Sequence, residues 1–224
     1  MRNEKRARVR IKPVTKILLG LIVIAILAGG FIVWDSFIKP RSGKSKVVDS
    51  IKNGDIDYVV SDTDTKLFKE NFNELKKILN AKEIDNKKYA ETVAKLFVID
   101  FFTLSNKTSK NDVGGVQFVY GGYKKDFIDG ARDSIYKQVH SLVTDDKSNK
   151  DLPTVTKVKV HEVEEISPYN MFDFEVEFFK EEEVGYSVTI SWEYKNDDAF
   201  QREATIILVP DGNKLSVGRM QEAM

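Results

Sequence analysis

Two hydrophobic periods divide the chain. Between residues 61 and 142 apolar side chains recur at three- and four-residue steps, and from Val155 onward they recur at every second position. The first period predicts three helices. One over residues 63–81 presents Leu67, Phe68, Phe72, Leu75, Ile78 and Leu79, with Ser61, Asp62, Thr63 and Asp64 ahead of it as capping side chains. A second over 86–105 presents Tyr89, Val93, Leu96, Phe97, Phe101 and Leu104, and a third over 123–143 presents Phe127, Ile128, Ala131, Ile135, Val139 and Leu142. The second period predicts antiparallel strands at 154–166, 171–179, 184–194, 201–209 and 214–218. Imperfect alternation in the first of these points to a bulge, and Lys180, Glu181, Glu182 and Glu183 read as an acidic turn that pairs 171–179 with 184–194.

The stretch NDVGGVQFVYGGYKKDF, residues 111–127, joins the two kinds of pattern. It has neither the GxGxxG nor the GxxxxGK spacing that phosphate-binding loops need. It reads as a turn at Gly114 and Gly115, a short strand over 116–120, and a turn at Gly121 and Gly122 into the third helix. On this reading valine at Gly121 or Gly122 unfolds the domain, while loss of Lys124 and Lys125 does little. Helices first and strands afterwards imply an α+β domain over 61–224, with three helices packed on a curved sheet of four to five antiparallel strands.

Ahead of this domain lies the uncharged run ILLGLIVIAILAGGFIVW, residues 17–34. Its eighteen residues rise about 27 Å as a helix, enough to span a bilayer. Residues 1–16 hold seven basic side chains against Glu4 alone, so the positive-inside tendency puts this tail in the cytoplasm and everything beyond Trp34 outside. Lys16 and Trp34 mark the two membrane boundaries, and residues 35–60 read as a polar juxtamembrane linker. A cleaved signal peptide ending near Ala28, Gly29 and Gly30 is the alternative, and it exports the same domain. Gly43, Lys44 and Ser45 end like a P-loop, but Ile38 stands where the first glycine is needed.

The zero net charge of the whole chain hides this asymmetry: beyond residue 16 there are 28 basic and 34 acidic residues. That balance argues against a nucleic-acid-binding domain, which needs a basic face for phosphates, so nucleic acid is not an expected partner. The absence of cysteine excludes disulfides, thiolate metal sites and cysteine nucleophiles.

Asp100, within LFVIDFF, falls on the apolar face of the second helix. A carboxylate so placed either serves as an acid or base or accepts core hydrogen bonds from Tyr120, Tyr123 or a backbone amide. Phe97, Asp100 and Tyr120 are the candidates to line a cavity between helices and sheet. His140 and His161 lack metal-ligand spacing, and the acidic run at 162–165 reads as a solvated strand end that discourages edge pairing; no metal or cofactor is expected. Asn106, Lys107 and Thr108 match a glycosylation sequon, but the lysine-rich, cysteine-free composition suggests a bacterial chain, where the match carries little meaning. Phe102 and Phe179 fall off the buried faces and are candidates for an exposed partner-binding patch.

The order of three helices and then consecutive antiparallel strands resembles the cone-shaped nuclear-transport-factor-2-like fold. With one membrane span and a basic cytoplasmic tail, the whole chain resembles the bitopic inner-membrane scaffold proteins of type IV secretion and conjugation systems. That resemblance, carried by architecture and by no shared motif, implies a non-enzymatic protein of the cell membrane. It would assemble with copies of itself or with other envelope proteins. A ligand-binding or sensor accessory domain using the helix-sheet cavity is the alternative, and an enzyme would have Asp100 as its acid or base.

Overall fold

Capping places the first helix one residue past the expected cluster. Thr65 is extended and its hydroxyl accepts the Phe68 amide at 3.2 Å, so helix α1 (Lys66–Leu79) starts behind it. Asp64 turns back instead to accept the Ser61 amide at 2.6 Å. The structure, a computed structural model, describes residues 45–53, 56–141, 148–167, 183–195 and 201–222. All of them belong to the unit Arg41–Met224. Among them no helix is long and apolar enough to cross a membrane. The expected span at 17–34, with Lys16 and Trp34, lies outside the described residues, as do the expected strand at 171–179 and Phe179.

Helix α2 (Asn86–Phe102), capped by Asp85 accepting the Lys88 amide at 3.0 Å, has 12 of its 17 residues buried. Burial on all sides makes it the central helix: it packs on α1 and on every strand of the main sheet. Phe102 is therefore not on an exposed patch. It is 3 % exposed and stacks on the Trp192 ring at 4.6 Å between centroids. Helix α3 (Lys124–Asp133) is shorter than the 123–143 expected; Ser134 leaves helical geometry and a 3-10 turn, Ile135–Gln138, follows.

Two strands occupy part of the expected linker. Strands β1 (Val47–Asn53) and β2 (Ile56–Ser61) form an antiparallel pair that places Ile51, Tyr58 and Val60 in the core. The signal is present in the sequence: Asn53-Gly54 between alternating segments is a strong hairpin dipeptide. The main sheet has the order β3-β4-β5-β6, from β3 (Thr154–Ile166), β4 (Gly185–Lys195), β5 (Glu203–Asp211) and β6 (Lys214–Gln221). Its inner face carries Val155, Tyr186, Val188, Ile190, Trp192, Ala204, Ile206, Leu208, Leu215 and Val217. The fold is thus α+β, with three α-helices, a four-stranded antiparallel sheet and a two-stranded one among the described residues.

Strand β4 bonds β3 on one edge, with Ile166 opposite Gly185, and β5 on the other; the expected pairing of 171–179 with 184–194 lies outside the described residues. The expected strand at 116–120 is a 3-10 turn, Val116–Phe118, followed by a single parallel bridge between Val119 and Val217. Phe118 leaves the sheet direction to stack on Tyr58 in the core, and Gln117 turns outward to bond both backbone groups of Val59. Core packing and the β2 edge take the side chains that a strand would have pointed to its two faces. The bulge expected in 154–166 is present: register shifts occur between Val155 and Lys157 and between Val160 and Glu162.

Candidate functional site

The end of α2 leaves carbonyls without helical partners, and the loop over 103–115 must fold back on them. It does so through a buried polar knot. Asp100, in the last turn of α2, takes Lys107 Nζ on Oδ1 at 2.6 Å and the Gly115 amide on Oδ2 at 2.8 Å. Tyr136, from the turn after α3, accepts the Gly114 amide and donates to the Phe101 carbonyl, both at 2.8 Å. Asp112 Oδ2 accepts the Thr108 amide at 3.0 Å and its hydroxyl at 3.1 Å. Asn149 clamps the far side, donating to the carbonyls of Lys107 and His140 and accepting the His140 amide.

Burial decides the chemistry of this knot. The Lys107 side chain is 1 % exposed and that of Asp100 7 %. An acid or base must come within about 3 Å of a substrate proton. Here that first layer around the Asp100 oxygens holds donors from the protein's own chain. Of the donors expected for Asp100, a backbone amide is present at Gly115, and the ammonium of Lys107, which was not expected, takes the other oxygen. An isolated buried charge would cost several kcal/mol, whereas a hydrogen-bonded pair is tolerated and prefers one loop conformation over its alternatives.

The glycines divide unequally. A Cβ on Gly114 would sit 2.1 Å from the Asp100 carbonyl oxygen and 2.7 Å from Lys107 Nζ. Gly115 has φ of 77°, and a Cβ there would meet the Phe97 ring at 3.0 Å. This pair lets the loop close on α2. Gly121 and Gly122 lie in an exposed 3-10 turn, where the added atom meets only Asp211 Oδ1 at 3.9 Å or the flexible Tyr120 ring at 3.2 Å. The expectation that valine at Gly121 or Gly122 unfolds the domain is therefore assigned to the wrong pair.

The three cavity candidates do not converge. Phe97 stacks on Phe101 at 5.7 Å and touches Phe127 at 5.8 Å, in the main core beside Asp100. Tyr120 packs instead with Ile207 and Val209 in a separate small cluster, and its ring meets Tyr123 at 5.5 Å.

A second buried polar junction, which periodicity does not reveal, ties the hairpin to the main sheet. Tyr58 of β2 donates to the Leu215 carbonyl at 3.1 Å, the Leu215 amide donates to Tyr89 of α2 at 3.2 Å, and the two hydroxyls lie 3.0 Å apart. The two phenols thus satisfy β6 where a further strand would have done so. Burial pushes Tyr58 well above its ordinary pKa, and burial also raises Tyr89 against the opposing effect of its hydrogen bonds. Lys124 is half-buried, and desolvation followed by repulsion from Lys214 lowers it.

His140 is held through its backbone by Asn149, and His161 on β3 bonds Ser191 Oγ through Nε2 at 2.7 Å. Among the described residues no group of three His, Cys, Asp or Glu side chains is placed to hold a metal ion. Lys107, Asn149, Tyr58 and Tyr89 are the residues that sequence reasoning missed. An aspartate on an apolar helix face asks for a buried donor, but nothing in the spacing says that the donor comes from beyond the helix end. Comparison with known proteins gives no match to a family model, to a curated protein or to a solved structure.

Proposed function

We propose that this chain is a single-pass, membrane-anchored protein of a bacterial envelope complex whose domain lies outside the cytoplasmic membrane and works by assembly. The uncharged run at 17–34 behind seven basic residues carries the proposal. Three helices against an antiparallel sheet support the cone-type reading of the domain at the level of architecture. The sealing of Asp100 by Lys107 and Gly115 supports a positional role over an acid-base one. A component of a conjugation or secretion channel is the most concrete version. Anchoring raises the local concentration of domains at the membrane, so weak lateral contacts become effective.

The test uses the full chain with a C-terminal tag in a bacterial host. The expected result is retention in the membrane after alkaline carbonate washing, together with digestion of the tagged domain by protease added to spheroplasts. A domain that stays protected until the cells are lysed would refute the orientation, and release by carbonate would refute the anchor.

A further inference from the structure

The polar knot at the end of α2 holds an amine and a carboxyl, the two halves of an amide, against each other and out of water. Lys107 Nζ lies 2.6 Å from Asp100 Oδ1, and the two side chains are 1 % and 7 % exposed. Both sides of the approach are fixed. The Lys107 backbone is pinned at its amide, which donates to the Leu104 carbonyl at 3.1 Å, and at its carbonyl, which accepts Asn149 Nδ2 at 2.9 Å. Asp100 stands in the last turn of a helix buried on nearly all sides. Gly114 leaves the space in which the ammonium rests, since a Cβ there would come within 2.7 Å of Nζ. Two reacting groups held at contact distance in one orientation have the advantage of an intramolecular reaction over one between free molecules.

The second carboxylate oxygen is placed for the same chemistry. Oδ2 accepts the Gly115 amide at 2.8 Å. Attack on a carboxyl carbon throws negative charge onto the oxygen that stays, and a fixed backbone N–H aimed at that oxygen in a dry site stabilises it. Gly115 keeps its aim through a φ of 77° and through Tyr136, whose hydroxyl accepts the neighbouring Gly114 amide and donates to the Phe101 carbonyl. The walls are aromatic: the Phe97 ring lies against Gly115, and Phe101 packs on Phe97 and on Tyr136. Water, which would hydrate the amine and compete for the carboxyl, is kept away by this packing.

We propose that Lys107 and Asp100 condense spontaneously into an intramolecular amide, an isopeptide cross-link between the end of α2 and the loop behind it. The ion pair is the reactant state. One ammonium proton passes to Oδ1 across the hydrogen bond and gives an amine and a carboxylic acid, a neutral pair without the desolvation cost of two ions. The Nζ lone pair then bonds Cγ while charge collects on Oδ2 beside the Gly115 N–H. The bond from Cγ to Oδ1 breaks, and Oδ1 leaves as water with a second proton from the nitrogen. The ammonium thus gives up two of its three protons, one water is released, and neither oxidant nor cofactor enters. Afterwards Oδ2 is the amide oxygen and still accepts the Gly115 amide. Such a bond suits a chain without cysteine, because it needs no oxidising surroundings. Over so short a stretch it removes little loop entropy, so its effect is to keep the knot closed when the rest of the domain opens. It holds wherever the domain lies and whatever it assembles with.

The test is peptide mass analysis of the full chain, purified in detergent, unfolded in urea and digested with trypsin, which cuts only after a free lysine or arginine. The natural chain should yield residues 96–110 as a single peptide, uncut after Lys107 and lighter than its sequence by one water, with no fragment ions from the backbone between residues 100 and 107. Lys107→Arg keeps a cation but loses the amine, and Asp100→Ala loses the carboxyl, so both should give peptides of full mass. A natural chain that is cut after Lys107 and gives residues 96–107 at full mass would overturn the proposal. So would a loss of water that persists in Lys107→Arg, because the aspartate would then have closed on its own backbone as a cyclic imide. The measurement on the natural chain decides the matter even where a variant fails to fold.

Discussion

Replacing Lys107 by methionine isolates the polar knot. The side chain keeps nearly the same length and shape, but Asp100 loses the cation 2.6 Å away while remaining 7 % exposed. Gly115 still donates to the other oxygen at 2.8 Å, so the carboxylate keeps one described hydrogen bond and loses its neutralising charge. Breaking a buried pair from one side costs about 3–5 kcal/mol, a large part of the roughly 5–15 kcal/mol that holds a typical domain together. For a domain of this size that corresponds to a fall of about 10 °C in Tm. Trp192, 2 % exposed against Phe102, is a suitable reporter in urea titrations, with Trp34→Phe as background so that the other tryptophan does not contribute. The control is Asp100→Asn/Lys107→Met, which leaves no unpaired charge and should recover part of the loss. A cost below about 1 kcal/mol for Lys107→Met, or a double variant no more stable than the single one, would refute the reasoning.

Alanine at Gly115 should destabilise by more than about 1 kcal/mol because its φ is positive, and alanine at Gly114 by more because the clash is with backbone; Gly121→Ala and Gly122→Ala should stay within about 0.5 kcal/mol, all read by thermal unfolding. Phe102→Ala should cost about 3–5 kcal/mol in the same titration, since its ring is buried against Trp192, whereas an exposed aromatic would be nearly neutral. The raised pKa values of Tyr58 and Tyr89 mean that the unfolded chain releases these protons before the folded one does. Their contribution is therefore complete below the ordinary tyrosine value of 10.0 and is lost as pH rises beyond it. Phenolate absorbance during alkaline titration should show two tyrosines ionising only together with unfolding, and Tyr58→Phe/Tyr89→Phe should remove that step.

Elements with long periods were legible. The alternation at 184–194 and the three- and four-residue spacing around Phe68 and Leu75 each depend on one buried face, and the strands and helices form where those patterns lie. Legibility ended where a residue answers to two neighbours at once. Phe102 looked exposed because a single-face reading of α2 has no place for it, yet α2 is buried almost all round. Residues 116–120 alternate like a strand, but Phe118 is drawn into the aromatic core and Gln117 to the edge of β2. The β1–β2 hairpin carried its own Asn-Gly signal, which the polar composition around it obscured.

By itself the sequence determined the class and order of the parts: an apolar run behind a basic tail, helices before strands, and an aspartate set among apolar residues. These are local properties, decided by neighbours along the chain. Only the tertiary structure decided which residue neutralises Asp100, which glycine pair is indispensable, and that β3 and β5 are the neighbours of β4. Each of these depends on groups brought together from distant positions, and burial removes the water that would otherwise make their choice of partner energetically indifferent.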